Sequence, residues 1–184
     1  MMPIRSASAA LLALLLTMPA SVPAAGAAGT AAEIRALTAV DAHALLAAGR
    51  GDALFLDVRD PVEIMFTGFA EMVDANIPLL TVDRDRLAPG GRNFAMVPNE
   101  DFDAAVLAAL DAKGLGRDAQ VLVMCRSGSR SAAAARRLTE LGFTRVYNLS
   151  DGFEGAPGRG SGWKHSGLPW GHAFDPAKIW RGQE

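Results

Sequence analysis

The segment that most constrains the chain is Val121-Leu122-Val123-Met124 followed at once by Cys125-Arg126-Ser127-Gly128-Ser129-Arg130 and then by Ser131-Ala132-Ala133-Ala134-Ala135-Arg136-Arg137-Leu138. Four consecutive apolar residues read as a short buried strand. The alanine-rich stretch is a strong helix former. Between them lies a strand-to-helix turn in which Gly128 is free to adopt left-handed or tightly curved backbone. A strand that feeds a helix this directly belongs to an α/β architecture.

The rest of the chain repeats that alternation. Thr38 to Gly49 reads as a helix, with Thr38 as its N-cap and Gly49 as its stop. Ala53 to Val58 reads as a buried strand, and Pro61 to Phe66 as a short helix with Pro61 in its first turn. Residues 81–100 are polar and carry Pro89, Gly90, Gly91 and Pro98, which predicts mostly loop. Asn99 to Leu110 reads as a helix capped by Asn99, with acidic residues in its first turn. The helix after Cys125 ends near Gly142, and Arg145 to Leu149 forms another strand. This order predicts a central parallel sheet with helices on both faces. Ligands of such sheets bind beyond the strands' carboxyl ends. Cys125 and Arg59 both follow a strand's C-terminal end, consistent with one shared site.

The turn has a definite chemical character. Its backbone N–H groups can converge, and the helix N-terminus adds partial positive charge. Arg126 and Arg130 add two full charges. These features favour thiolate over thiol, and the thiolate is the nucleophile. The alternative for Cys125 is an inert core cysteine. Its polar, basic and small neighbours suit a mouth rather than a core.

Cys125-Arg126-Ser127-Gly128-Ser129-Arg130-Ser131 resembles the active-site loop of rhodanese-type sulfurtransferases. Further segments agree in order. Asp57-Val58-Arg59-Asp60-Pro61, with Glu63, resembles the family's Asp-Val-Arg strand end, and Asn76-Ile77-Pro78 the segment after it. Val146-Tyr147-Asn148-Leu149, then Asp151-Gly152-Phe153-Glu154-Gly155, resembles the strand and glycine turn that follow the active-site helix. Gly162-Trp163-Lys164 and Gly167-Leu168-Pro169 resemble the C-terminal end. The resemblance spans about residues 35–170 and implies the rhodanese-like three-layer fold.

It also implies a chemistry. Cys125 would take the sulfane sulfur of a small anionic donor such as thiosulfate and hold it as a persulfide. A thiol, cyanide or a protein acceptor would then remove it, without metal or organic cofactor. Arg126, Ser127, Gly128, Ser129 and Arg130 would form the substrate-binding loop, joined by Arg59. Arg130 either clamps the anionic donor or is a first-turn arginine bonded to a carboxylate. Ser127 and Ser129 either donate to the sulfur or cap the helix. Asp57 and Arg59 either frame the active side of the sheet or form an ion pair beneath the loop. Arg84, Arg86, Arg92 and Asn93 belong either to a lid over the donor pocket or to a solvated loop. A carrier or partner-binding module without fast turnover is the second reading. A cysteine-dependent phosphatase or arsenate reductase is the third. Phosphatases of this loop design use Cys-x5-Arg, whereas Cys125 and Arg130 are spaced Cys-x4-Arg, and a second cysteine is absent.

The net charge of −2 and the lack of a long basic run give no sign of nucleic-acid binding. Arg5, the apolar run Ala9 to Met18 and the small residues from Pro19 to Ala28 read as a Sec signal peptide over residues 1–27, cleaved near 24–28. The apolar run is shorter than the about 20 residues a membrane span needs. The expectation is export to the periplasm without a stable membrane anchor after cleavage. Residues 28–34 then form a linker, 35–170 the domain and 171–184 a C-terminal extension. A single cysteine forms no internal disulfide and has no resolving thiol beside it. His43, His165 and His172 lack metal-ligand spacing, and Trp163 is expected to help close the domain.

Overall fold

The computed structural model describes residues 33–49 and 51–182. Residues 1–32, which take in the expected leader and most of the expected linker, lie outside them.

Five parallel strands form the central sheet. They are β1 (Glu33–Leu37), β2 (Ala53–Asp57), β4 (Ala75–Asn76), β7 (Gln120–Met124) and β8 (Arg145–Leu149), in the order β1-β8-β7-β2-β4. Between them lie the helices α1 (Ala39–Ala48), α2 (Pro61–Thr67), α3 (Phe102–Ala112) and α4 (Ser129–Glu140). The central strands β2 and β7 are buried on both faces and need apolar side chains in both directions, which is why Ala53–Leu56 and Val121–Met124 run unbroken. Phe55, Leu122 and Met124 project to one side, into a cluster with Ala39, Ala42 and Leu46 of α1. Leu54, Leu56, Val121 and Val123 project to the other, against Val106 and Leu110 of α3 and Ala134 and Leu138 of α4. The period-two alternation of the strands thus sorts the helices into an outer layer on each side. Trp163 is fully buried in the α1-side cluster, and its Nε1–H donates to the Pro169 carbonyl at 2.9 Å.

Local chemistry sets the helix starts. The Thr38 Oγ accepts from the Asp41 N–H at 3.2 Å. Buried Asp151, beyond β8, accepts from the Ala39 N–H at 2.9 Å and from the Gly162 N–H at 3.2 Å. One carboxylate therefore ties the exit of β8 to the start of α1 and to the C-terminal segment. At α2, Asp60 accepts from the Val62 N–H at 2.8 Å, while Glu63 accepts from the Asp60 N–H at 3.1 Å. This reciprocal pair is a capping box.

Four expectations need correction. β1 begins at Glu33, inside the expected linker 28–34 and before the expected domain start at residue 35. Residues 81–100 are not mostly loop: β5 (Leu80–Leu87) and β6 (Phe94–Pro98) form an antiparallel hairpin with a register shift between Asp83 and Leu87. Within the segment, residues 88–93 around the Pro89-Gly90-Gly91 turn and residues 99–100 behave as the composition predicts. The strands escape notice because charged residues occupy the exposed positions that a two-stranded ribbon leaves in solvent. Next, α3 begins at Phe102, not Asn99. The Asn99 Oδ1 does accept from the Asp101 N–H at 3.1 Å, but in the turn before the helix. Finally, a boundary at residue 170 would cut β9 (Trp170–Gly171), which pairs antiparallel with β3 (Phe69–Ala70). The tail beyond it is docked: Ile179 bridges to Asn76 in parallel, and the Trp180 N–H donates to the Asn76 carbonyl at 3.1 Å.

Candidate active site

β7 ends at Met124, and the chain passes through residues 125–128 into α4. The exit of β7 is held by its neighbours' backbones. The Phe153 N–H donates to the Cys125 carbonyl at 2.8 Å, and the Glu154 N–H to the Arg126 carbonyl at 2.9 Å. Two glycines permit this closeness. A Cβ on Gly152 (φ +63°) would lie 2.6 Å from the Cys125 carbonyl oxygen. One on Gly128 (φ +92°) would lie 2.0 Å from the Ser150 carbonyl oxygen. Both the left-handed backbone and the space exclude any other residue there.

With its carbonyls turned toward the β8 turn, the loop presents donors to the sulfur. Cys125 Sγ accepts from the Gly128 N–H at 3.2 Å and from the Ser131 hydroxyl at 3.3 Å. Gly128 is the N-cap of α4, and no side chain caps that helix. Its first-turn N–H groups and the positive end of its dipole therefore face the loop. A negative charge on this sulfur, or on a group bonded to it, meets oriented donors and, among the described residues, no carboxylate within hydrogen-bond distance.

Cys125 is 1% exposed, a correction to the expected open mouth. It lies in the apolar face shared with Val123 and Ala134, covered by the turns that grip it. Ser127 and Ser129 neither bond the sulfur nor cap α4. The hydroxyl on the sulfur belongs to Ser131, a residue the sequence reading left inside the helix. Its signal was its place two residues into the helix, where a serine side chain can turn back toward the N-terminus.

Arg126 is exposed, 3.5 Å from Glu154. Arg130 is engaged. Its Nη1 and Nη2 donate to Glu63 Oε2 and Oε1 at 2.5 and 2.6 Å, a fork-to-fork pair between α4 and α2. Of the two roles read for Arg130, the carboxylate-bonded arginine is the one present, so a free clamp is corrected. Burial would lower the Arg130 pKa, but Glu63 outweighs it, and Cys125 and Asp57 add to the rise. Burial likewise pushes Glu63 up, yet the hydrogen bonds and charge of Arg130 hold it below its ordinary 4.5. Glu63 is a residue whose role the sequence reading missed. Its signal was the Asp60–Glu63 spacing of a capping box before a helix.

Arg59 does not join the loop as a substrate-binding residue. It is fully buried, and its donors are taken by Asp57 (2.6 Å from Nη2), the Thr67 hydroxyl (2.7 Å) and the Gly68 carbonyl (3.0 Å). Its guanidinium carbon sits 4.1 Å from the centre of the Phe153 ring. A buried arginine so completely satisfied is a fastening between β2, α2 and the β8 turn.

Beside the loop lies an open cleft of about 840 Å³. Arg126 and Arg130 line one end, Val62 and Glu63 of α2 one side, and Arg92, Asn93, Phe94 and Met96 of the hairpin region the other. Of the lid candidates, Arg92 and Asn93 therefore do line a pocket beside the loop.

A parallel sheet thus delivers the sequence's one cysteine into a tight loop at a helix N-terminus. The family model described as Rhodanese-like domain matches residues 38–156, and the chain belongs to that family. A solved structure of Rv0390 from M. tuberculosis is similar, with TM-score 0.55 and 32% identity, covering 75% of this chain and 97% of that one. An uncharacterized protein of Rickettsia rickettsii is 42% identical over 72 residues, 39% of this chain and 55% of the relative. The thiosulfate sulfurtransferase GlpE of Actinobacillus pleuropneumoniae is 45% identical over 49 residues, 27% of this chain and 39% of the relative. The matched stretch thus spans about half the length, or less, of these curated relatives.

Proposed function

We propose that this protein is an exported, periplasmic sulfurtransferase that carries sulfane sulfur on Cys125. The observation that carries the reading is the environment of Cys125 Sγ, which meets two donors at 3.2 and 3.3 Å at the uncapped start of α4. The likeness to a thiosulfate sulfurtransferase supports it.

In the first half-reaction the Cys125 thiolate attacks the outer sulfur of thiosulfate. A new S–S bond forms, the donor's S–S bond breaks, and its electron pair leaves with sulfite. The terminal sulfur of the persulfide then carries the negative charge, which the loop's donors and the helix dipole stabilise. In the second half-reaction an acceptor thiolate or cyanide attacks that terminal sulfur, and Cys125 departs as thiolate. This is covalent, two-step catalysis. The tight loop suits a single sulfur atom better than a tetrahedral phosphoryl group. Burial of Cys125 shields the thiol from the oxidation an exposed one meets in an oxidising compartment. The residues 1–27 supply the export signal.

Intact-mass spectrometry tests the reading. Thiosulfate is expected to add the mass of one sulfur to the wild type and none to Cys125→Ser, and cyanide to remove it as thiocyanate. A wild-type protein that gains nothing from thiosulfate, or that loads equally as Cys125→Ser, overturns it. Recovery of the chain in the cytosolic fraction of its own cells overturns the assignment to the periplasm.

A further inference from the structure

The cleft beside the loop is far larger than an inorganic donor of a few atoms requires. Its composition is also divided. Leu87 and Phe94 are 62% and 51% exposed, and Val62 is 50% exposed across from them. Large apolar side chains held in solvent around one concavity mark a binding surface. The charged groups lining it are mainly positive, five arginines to two carboxylates over the cleft and the groove beside it, with Arg126 also 3.5 Å from Glu154. Arg92, Arg126 and Arg130 line the cleft. A second groove of about 420 Å³ shares Val62, Val82 and Phe94 with it and carries Arg84, Trp180 and Arg181. The acidic groups in the two linings are Glu63, bound to Arg130, and Asp60, which accepts from the Val62 and Val82 N–H groups. Among the described residues, Arg84, Arg92 and Arg181 enter no ion pair. The whole chain nevertheless has a net charge of −2, so this stripe of cations is a local concentration rather than a general property.

We infer that the two grooves are one docking surface for an acidic, apolar-studded polypeptide segment of a partner that accepts the sulfur. The segment runs from Trp180, over Phe94 and Val82, to Arg126 at the loop. Its carboxylates face the unpaired arginines, and its apolar side chains cover Leu87 and Phe94. Charge complementarity selects such a partner and speeds its arrival, while the apolar centre holds it. The inference rests on the proposed sulfur transfer. In that step the partner's thiolate attacks the terminal sulfur of the Cys125 persulfide. A partner persulfide forms, the Cys125–sulfur bond breaks, and Cys125 leaves as thiolate, with no net oxidation.

Two measurements on the full chain test it. The first reads binding alone, by fluorescence anisotropy of a labelled peptide of Glu and Leu residues with Ser at the acceptor position, beside its Lys-for-Glu twin. The acidic peptide is expected to bind about tenfold or more tighter, through the charge pairs and the apolar contacts together. Raised salt and the double substitution Arg92→Glu/Phe94→Ala are each expected to erase that preference. The substitution Arg136→Glu, on the same helix as Arg130 but outside both linings, is expected to leave it. Thermal melting verifies that the variants fold. The second measurement compares persulfide discharge to the Cys form of the peptide with discharge to cyanide, and the double variant is expected to lower that ratio about tenfold. Equal binding of the two peptides overturns the inference, as does a preference that survives the double variant. Glutathione that binds as tightly as the acidic peptide also overturns it, and makes the cleft a small-thiol site. Because the first peptide contains no thiol, failure of persulfide loading sinks the sulfurtransferase reading while the binding result still decides this one.

Discussion

Gly128 shows how little freedom the loop has. A side chain there meets the Ser150 carbonyl and a backbone with φ +92°. Gly128→Ala is expected to lower stability by about 2 kcal/mol or more, read as a fall in the urea midpoint. Glu63 gives a prediction with a pH sign. A carboxylate held below its unfolded value stabilises the fold above that value. The contribution disappears as pH falls through the folded one. Glu63→Gln is therefore expected to cost about 1 kcal/mol at neutral pH. The gap to wild type should close as pH drops below 4.5, the ordinary Glu63 value. Urea melts of both proteins across that range give the answer, and a gap constant with pH contradicts it. Single residues were unequally legible in the sequence. Cys125 and Gly128 stood out because the loop's chemistry is contiguous. The Arg130–Glu63 pair and the burial of Arg59 depend on residues brought together by α2, and no local pattern reveals a partner 67 positions away.

At the level of elements, β2, α2 and the β8 turn meet at Arg59. Removing the guanidinium leaves Asp57, fully buried, without its cation. Arg59→Met is expected to destabilise the protein by about 3–5 kcal/mol. Asp57→Leu in the same chain should recover part of the loss. Equilibrium denaturation of the single and double variants tests this, and no recovery would mean that Asp57 is not the group left stranded. β2, β7 and β8 and the helices were readable, unlike β1 and β4, because each has its own signal: mainly apolar runs for those strands, alanine-rich stretches and caps for helices. The β5–β6 hairpin was not, because it packs through few side chains and its middle is charged. Pairing with each other, rather than burial, makes those residues strands. The hairpin is also the wall of the cleft, so the least legible element is the one that shapes access to the loop.

For the whole molecule, the C-terminal tail is the part whose place composition did not foretell. It crosses from β9 to the edge of the sheet, where Ile179 lies in a parallel bridge with Asn76, the Trp180 N–H donates to the Asn76 carbonyl, and the Lys178 Nζ donates to the Val73 carbonyl at 2.8 Å. Removing residues 172–184 is expected to lower the melting temperature by several degrees, from the loss of these contacts and the burial they accompany. Calorimetry of the shortened chain checks it, and an unchanged melting temperature would show that the tail merely rests on the domain. The bridge at Asn76 has one more effect. β4 is the last strand on its side of the sheet, and a last strand offers unpaired N–H and C=O groups to any passing chain. The tail works there as a selvedge, finishing the weave so that it does not take up foreign threads. Its loss should show as concentration-dependent aggregation that begins before the protein unfolds.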